Sequence, residues 1–267
     1  YLKSLLAISE YDPYSFVPET MRPDYADNFV SASDIRSYET NASVSSIKKQ
    51  GFGEQWQMVI DNMNQSEKFY KVLSVSDSVF GAAVSIFINY FEKNEDATSH
   101  EVKETNFDAD CSFENGILNF SLVSKKTVLG FTPKIEMVYT VETGEKAMRI
   151  ELNENDVLKC AFTDNSYIFG ISYGLTIAGK TGIRTAYCEL NREIEDENSS
   201  YTGHIYQYFS YMSDESTKNL IKSAADFYID DKYCSVIGNK ASGLLGFAGQ
   251  INELYNVENG RLIAYEV

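Results

Sequence analysis

Residues 166–192 read Ser166-Tyr-Ile-Phe-Gly-Ile-Ser-Tyr-Gly174-Leu-Thr-Ile-Ala-Gly179-Lys180-Thr181-Gly-Ile183-Arg-Thr-Ala-Tyr-Cys-Glu-Leu-Asn-Arg192. Two folds can be built from this stretch. Gly174 to Thr181 matches G-x-x-x-x-G-K-[ST], the loop whose backbone N–H groups cradle phosphate. In that reading Gly174 and Gly179 open the loop, Lys180 reaches the outer phosphates and Thr181 holds Mg²⁺. Ile183, Tyr187, Leu190 and Ile194 then fall at helical spacing, and the fold is a parallel α/β sheet. The alternative is a hairpin, with one strand to Ile177, a turn at Ala178 to Gly182 and a second strand from Ile183.

The flanking sequence favours the hairpin. Ser166 to Tyr173 alternates Tyr, Ile and Phe with Ser and Gly, unlike a strand buried on both faces of a parallel sheet. The chain left after Thr181 is short for a set of crossover units. Ala225 to Asp230, which a nucleotide site would use as its acidic strand end, sits inside a segment with helical spacing. Nucleotide binding through Gly174, Gly179, Lys180 and Thr181 therefore stands as the alternative.

On either side, the stretches Ile117–Ser124, 134–143, 146–152, 157–163, 166–177, 183–192 and 201–212 are rich in Ile, Val, Tyr, Phe and Thr. Turn signals such as Glu114-Asn115-Gly116 and Thr143-Gly144-Glu145 separate them. Short connections imply antiparallel neighbours, because parallel strands need long crossovers. Before them lies helical sequence. Phe52, Trp56, Val59, Ile60, Met63, Tyr70 and Leu73 recur on one helix face, with Asn64-Gln65-Ser66 as a candidate break. In 77–93 the residues Ser78, Ala82, Ser85, Asn89 and Glu92 form a polar or small stripe on an otherwise apolar helix.

Ser213, with Asp214 and Glu215 behind it, reads as a helix cap. Leu220, Ile221, Ala224, Phe227 and Tyr228 supply the face of a helix over 213–229. A strand near 233–237, a glycine-rich stretch at 243–249 and an Asn259-Gly260 hairpin between 251–258 and 261–267 complete the chain. Residues 1–50, with Pro13, Pro18 and Pro23 among aromatic residues, read as an extended arm laid across the body. The expected fold class is α+β. A large curved antiparallel meander carries helices 53–93 and 213–229 on one face. The expected body is a single domain, 51–267, with its sheet over 101–212 and its last strands and hairpin over 232–267.

Composition bounds the function. The chain has 267 residues, 23 Lys and Arg, 39 Asp and Glu, and a formal charge of −16. That charge repels phosphate backbones and argues against a nucleic-acid partner. No apolar run is long enough for a membrane helix. Cys111, Cys160, Cys188 and Cys234 form no C-x-x-C pair and lie in strand-like sequence, where small buried apolar residues belong. His100 and His204 are too few and too far apart for a zinc site. No metal and no cofactor are expected. Asp108, Asp110 and Glu114 are a Ca²⁺ candidate only by their alternate oxygens, at a spacing unlike an EF-hand loop. Glu193 to Asn198 reads as a solvated hairpin tip.

The aromatic content is the distinctive signal, with 19 Tyr and 16 Phe. Tyr201 to Met212 carries apolar or aromatic residues on both faces. His204, Tyr206, Tyr208 and Ser210 share one of them. Tyr201, His204, Tyr206, Tyr208 and Tyr211 are the candidate ligand residues, for an apolar or glycan ligand. No G-x-S-x-G elbow or other nucleophile signature is present, so no catalytic residue is assigned.

The expected function is a non-enzymatic, exported or cell-surface binding or accessory protein. Its partner would be a small molecule, lipid, glycan or protein. A subdomain of a longer surface protein is a further option. In architecture alone, helices followed by a long antiparallel meander are loosely similar to bacterial lipoprotein-carrier half-barrels. That resemblance implies a lipid- or lipoprotein-carrier alternative and assigns no residues.

Overall fold

The computed structural model describes residues 4, 54–74, 79–177, 179–195, 198–211, 221–242, 248–258 and 261–264. The protein is mostly antiparallel β-sheet with few helices. Among the described residues there are two helices of defined bounds, α1 (Glu54–Ser74) and α2 (Val79–Lys93). Thirteen strands follow: β1 (Ser99–Lys103), β2 (Phe107–Glu114), β3 (Ile117–Ser124), β4 (Lys134–Thr140), β5 (Lys146–Glu151), β6 (Val157–Phe162), β7 (Ser166–Ile177), β8 (Lys180–Glu195), β9 (Asn198–Tyr211), β10 (Ile221–Ile229), β11 (Tyr233–Ser242), β12 (Ala248–Glu258) and β13 (Arg261–Ala264). The chain divides into two compact units, one holding Ser66–Leu175 and the other Thr176–Val267 together with α1 as far as Gln65.

In the first unit β1 to β7 pair in chain order, each antiparallel to the next. The β2–β3 turn shows why. Glu114 pairs with Ile117, so the loop has two residues, and Asn115 (φ 52°) and Gly116 (φ 78°) both adopt the left-handed conformation that matches strand twist. Alternation then sends Leu118, Phe120 and Leu122 to the core and leaves Asn119 and Val123 exposed. Helix α2 buries Phe80, Val84, Phe87 and Phe91. Phe80 and Phe87 meet Phe120 edge-on, with ring centroids 5.5 and 5.8 Å apart. Each such pair contributes about 0.5–1.5 kcal/mol beyond the area it buries. The end of α1 adds Phe69, Tyr70 and Val72, and the Tyr70 hydroxyl hydrogen-bonds that of Tyr167 on β7.

The second unit repeats the scheme with longer strands. β8 pairs with β9, β9 with β10, β10 with β11, β11 with β12 and β12 with β13, all antiparallel. Ala186, Cys188 and Leu190 of β8, Ile205 and Phe209 of β9, Ala225 and Phe227 of β10, and Cys234 and Val236 of β11 make its buried face. Asn62 of α1 donates to the Gln207 side chain at 2.9 Å and to the Met58 carbonyl at 2.8 Å.

Two expectations need correction. The helix over 213–229 is not one, since Ile221–Ile229 is strand β10, paired on both edges, and 212–220 lie outside the described residues. Asn64-Gln65-Ser66 breaks nothing, because α1 is continuous. β1 and β2 open the sheet close to residue 101, where it was expected to begin, ahead of the strand stretches that start at Ile117. The expected arm over 1–50 lies outside the described residues apart from Ser4, as do 243–247 of the glycine-rich stretch and the Asn259-Gly260 turn. Glu258 pairs with Arg261 around that turn.

Candidate functional site

The phosphate-loop motif falls on a strand–turn–strand. Gly174 lies within β7, Gly179 (φ 78°) is an exposed turn residue, and Lys180 and Thr181 begin β8. A phosphate cradle needs a helix after Thr181, whose free N–H groups face the anion. Here a strand of 16 residues runs instead. The hydroxyls of Thr176 and Thr181 lie 3.3 Å apart beside the turn. The helix the nucleotide alternative requires is therefore absent from 180–195. Asp226 and Asp230, its acidic strand end, lie on and just after β10.

The Ca²⁺ candidates do not converge. Asp108, Asp110 and Glu114 lie along the single strand β2, and six residues of strand separate the outer pair by about 20 Å. Asp108 is bound by Lys125 at 2.6 Å and Asp110 accepts from Ser121. Among the described residues no group of three or more His, Cys, Asp or Glu could hold a metal ion.

The β9 candidates divide between two faces. Even-numbered residues of β9 face away from the core and odd-numbered ones toward it. His204, Tyr206 and Tyr208 share the outer face. Tyr201 is in register with Arg192 and with buried Ile229, on the other face. Tyr211 ends β9 and its side chain lies outside the described residues. The five candidates thus do not form one surface.

Register supplies the neighbours that composition could not. Tyr206 stands opposite Tyr187 of β8, and its ring lies 6.1 Å from that of Tyr208. Tyr187 is 42% exposed. One step along, His204 pairs with Glu189 on one side and Asp226 on the other. The His204 Nδ1 and an Asp226 carboxylate oxygen are 2.7 Å apart, at a place where the two side chains are 46% and 76% exposed. Asn191 donates to Glu189 at 3.1 Å. Burial pushes the Tyr187 hydroxyl's pKa up, and the neighbouring Glu189 carboxylate adds to the effect. Ile237 and Leu254 are exposed farther across, also in register on the outer face. A patch of tyrosine rings bordered by a carboxylate–imidazole–carboxylate row is suited to stacking and hydrogen bonding.

The outer face of the first unit is different. Lys134 pairs with Glu151 at 3.0 Å, and Arg149 reaches Glu151 at 2.7 Å and Glu136 at 3.6 Å. The hydrogen bond from Lys134 holds the Glu151 carboxyl below its ordinary pKa, against the effect of burial. This is a solvated charge ladder worth little per pair. A cleft of about 560 Å³ is lined by Thr98, Ser99, Ser112, Phe113, Glu114 and Asn115.

All four cysteines are buried and none is in a disulfide. Burial pushes the Cys111 thiol up to about 12 and those of Cys188 and Cys234 up as well, which suppresses nucleophilic thiolate. No described helix is long and apolar enough to cross a membrane. Compared with protein-family models, with curated proteins and with solved structures, the chain matches none.

Sequence reasoning missed Tyr187, Glu189 and Asp226. The first two were available from the hairpin itself, since short β8–β9 loop chemistry fixes which residues stand opposite His204 and Tyr206. Asp226 was hidden by the helical reading of its segment.

Proposed function

We propose that this is a non-enzymatic binding or accessory protein, exported or at the cell surface. It holds an apolar or glycan ligand on the outer face of β8 to β10. We read the layout as α+β, a curved sheet with helices on one face; within the second unit Asn62 of α1 meets Gln207 on the face of β9 opposite the tyrosines. The observation that carries the reading is the Tyr187–Tyr206–Tyr208 patch, in which Tyr187 is exposed and Tyr206 and Tyr208 are half-buried. Apolar surface of this kind costs solubility, and it stands where the first unit carries charge pairs instead. The lipid-carrier alternative has less support, because hydroxyl, amide and carboxylate groups dominate the lining of the cleft at Thr98 to Asn115 and suit no acyl chain.

Calorimetric titration of wild type and of the Tyr187→Ala/Tyr206→Ala variant with glucosamine hexamer, N-acetylglucosamine hexamer and decanoate tests the reading. At least one probe should bind wild type and bind the variant about tenfold more weakly, the loss of two stacking rings. If no probe distinguishes the two proteins, the face is not a ligand site. Antibody labelling of intact cells checks the surface location.

A further inference from the structure

We infer that the ligand of this face is an amino-sugar glycan, a chain of pyranose rings bearing free ammonium groups. The inference rests on the reading of Tyr187, Tyr206 and Tyr208 as a ligand patch and adds its chemistry. Glu189, His204 and Asp226 form one row across three strands, directly adjoining the Tyr187–Tyr206 pair. An acyl chain laid on the tyrosines would cover these polar groups without offering them partners, which costs free energy. A pyranose has both surfaces required: C–H groups on its faces for the rings, and hydroxyls on its rim for Asn191, Glu189 and His204.

Charge selects among glycans. The described outward positions of β8 to β10 carry Glu189, Glu193 and Asp226 and no described Lys or Arg side chain. Lys222 is in register with Tyr208, four residues along β10 from Asp226. The chain as a whole carries −16. Uronic or sulfated glycans are therefore repelled. An ammonium group meets two carboxylates that stand on either side of one imidazole, and it also gains from the negative faces of the tyrosine rings.

The test uses the full chain and calorimetry with glucosamine hexamer, N-acetylglucosamine hexamer, a heparin hexasaccharide and decanoate. Glucosamine hexamer should bind about tenfold or more tightly than its N-acetylated form, the heparin fragment should not bind, and added salt should weaken the complex. Glu189→Gln/Asp226→Asn should remove that preference, while Asp110→Asn/Glu136→Gln, on the first unit's outer face, should not. Equal losses in both acid variants would show general attraction to an acidic protein and overturn the inference. A Tyr187→Ala/Tyr206→Ala-sensitive site that prefers N-acetylglucosamine hexamer or decanoate would overturn it too, yet would leave the binding function standing. If no probe responds to the tyrosine variant, both fail. Unchanged circular dichroism of each variant confirms that folding is intact.

Discussion

Gly203 sits on the buried side of β9, in register with Phe227 and Leu190, and the Phe227 ring fills the space a side chain there would take. A Cβ at Gly203 would come within 2.2 Å of the Phe227 ring and 2.7 Å of the Glu189 backbone oxygen. The ring could rotate away only by leaving its packing, and the backbone oxygen cannot move without breaking the β8–β9 ladder. Gly203→Ala should therefore cost about 1–3 kcal/mol in urea denaturation. Gly174→Ala, with nothing within 4 Å, should stay within about 0.5 kcal/mol of wild type. Similar losses for both would mean that strand glycine itself, and not the overlap with Phe227, sets the cost.

Asp230 carries a second prediction at this scale. Its Oδ1 accepts the N–H groups of Lys232 and Tyr233 at 2.7 and 2.8 Å, and its Oδ2 accepts the Tyr228 hydroxyl at 3.0 Å. Burial alone would raise the carboxyl's pKa, but these hydrogen bonds outweigh it and the net shift is downward. A carboxyl whose pKa is lower folded than unfolded stabilises above the unfolded value of about 3.9, and that stability is lost as pH falls through the folded value. The stability gap between wild type and Asp230→Asn should be widest near neutrality and shrink below about pH 4. A gap that is constant with pH would assign the effect to lost hydrogen bonds alone.

At the scale of elements, α1 and β10 show where periodicity serves and where it misleads. Asn64-Gln65-Ser66 reads as a break because these residues compete for backbone hydrogen bonds, yet their intrinsic cost in a helix is only some tenths of a kcal/mol each. Burial of Val59, Phe69 and Val72 offsets that cost, and α1 stays whole. Its link to the sheet within the second unit is polar. Asn62→Ala should destabilise by about 1–3 kcal/mol in urea, because it leaves the buried Gln207 side chain without the Asn62 donor. A double-mutant cycle with Gln207→Ala should show coupling between the two sites, and strict additivity would deny that the hydrogen bond matters.

In β10 the sequence Ile221-Lys-Ser-Ala-Ala-Asp-Phe-Tyr-Ile229 fits both periods. Ala224, Phe227 and Tyr228 match a helix, and Ser223, Ala225, Phe227 and Ile229 match one face of a strand. Two edges decide it. β9 and β11 each present a row of backbone donors and acceptors, and a strand between them satisfies both while a helix would satisfy neither. That demand is invisible in the segment itself. Its consequence reaches the candidate site, because only as a strand does 221–229 set Asp226 beside His204.

For the molecule as a whole, charge and surface divide by location. The sequence pI is near 4.6, so turbidity should be greatest near that pH and absent at neutrality, where the −16 charge keeps copies apart. A turbidity maximum near neutral pH would point instead to association through the Tyr187 patch. The antiparallel ladder from Ile117 to Tyr211 was legible from alternation and turn residues, since period two and short loops leave a chain little choice but to fold back on its neighbour. Strands β3 and β7 run between the very residues expected, and the P-loop pattern at Gly174 to Thr181 resolved, as its flanks indicated, into a turn between strands.

The candidate site was legible only in part. His204, Tyr206 and Tyr208 share a face by simple alternation along one strand, which is local information. Their partners Tyr187, Glu189 and Asp226 come from two other strands, and Asp226 from a segment whose state depends on its neighbours. Spacing and charge along the chain were enough to specify the antiparallel sheet, the net acidity and which β9 side chains point together. That 221–229 is a strand and that a carboxylate flanks His204 on each side came from the folded chain, because hydrogen bonding between distant segments settles both.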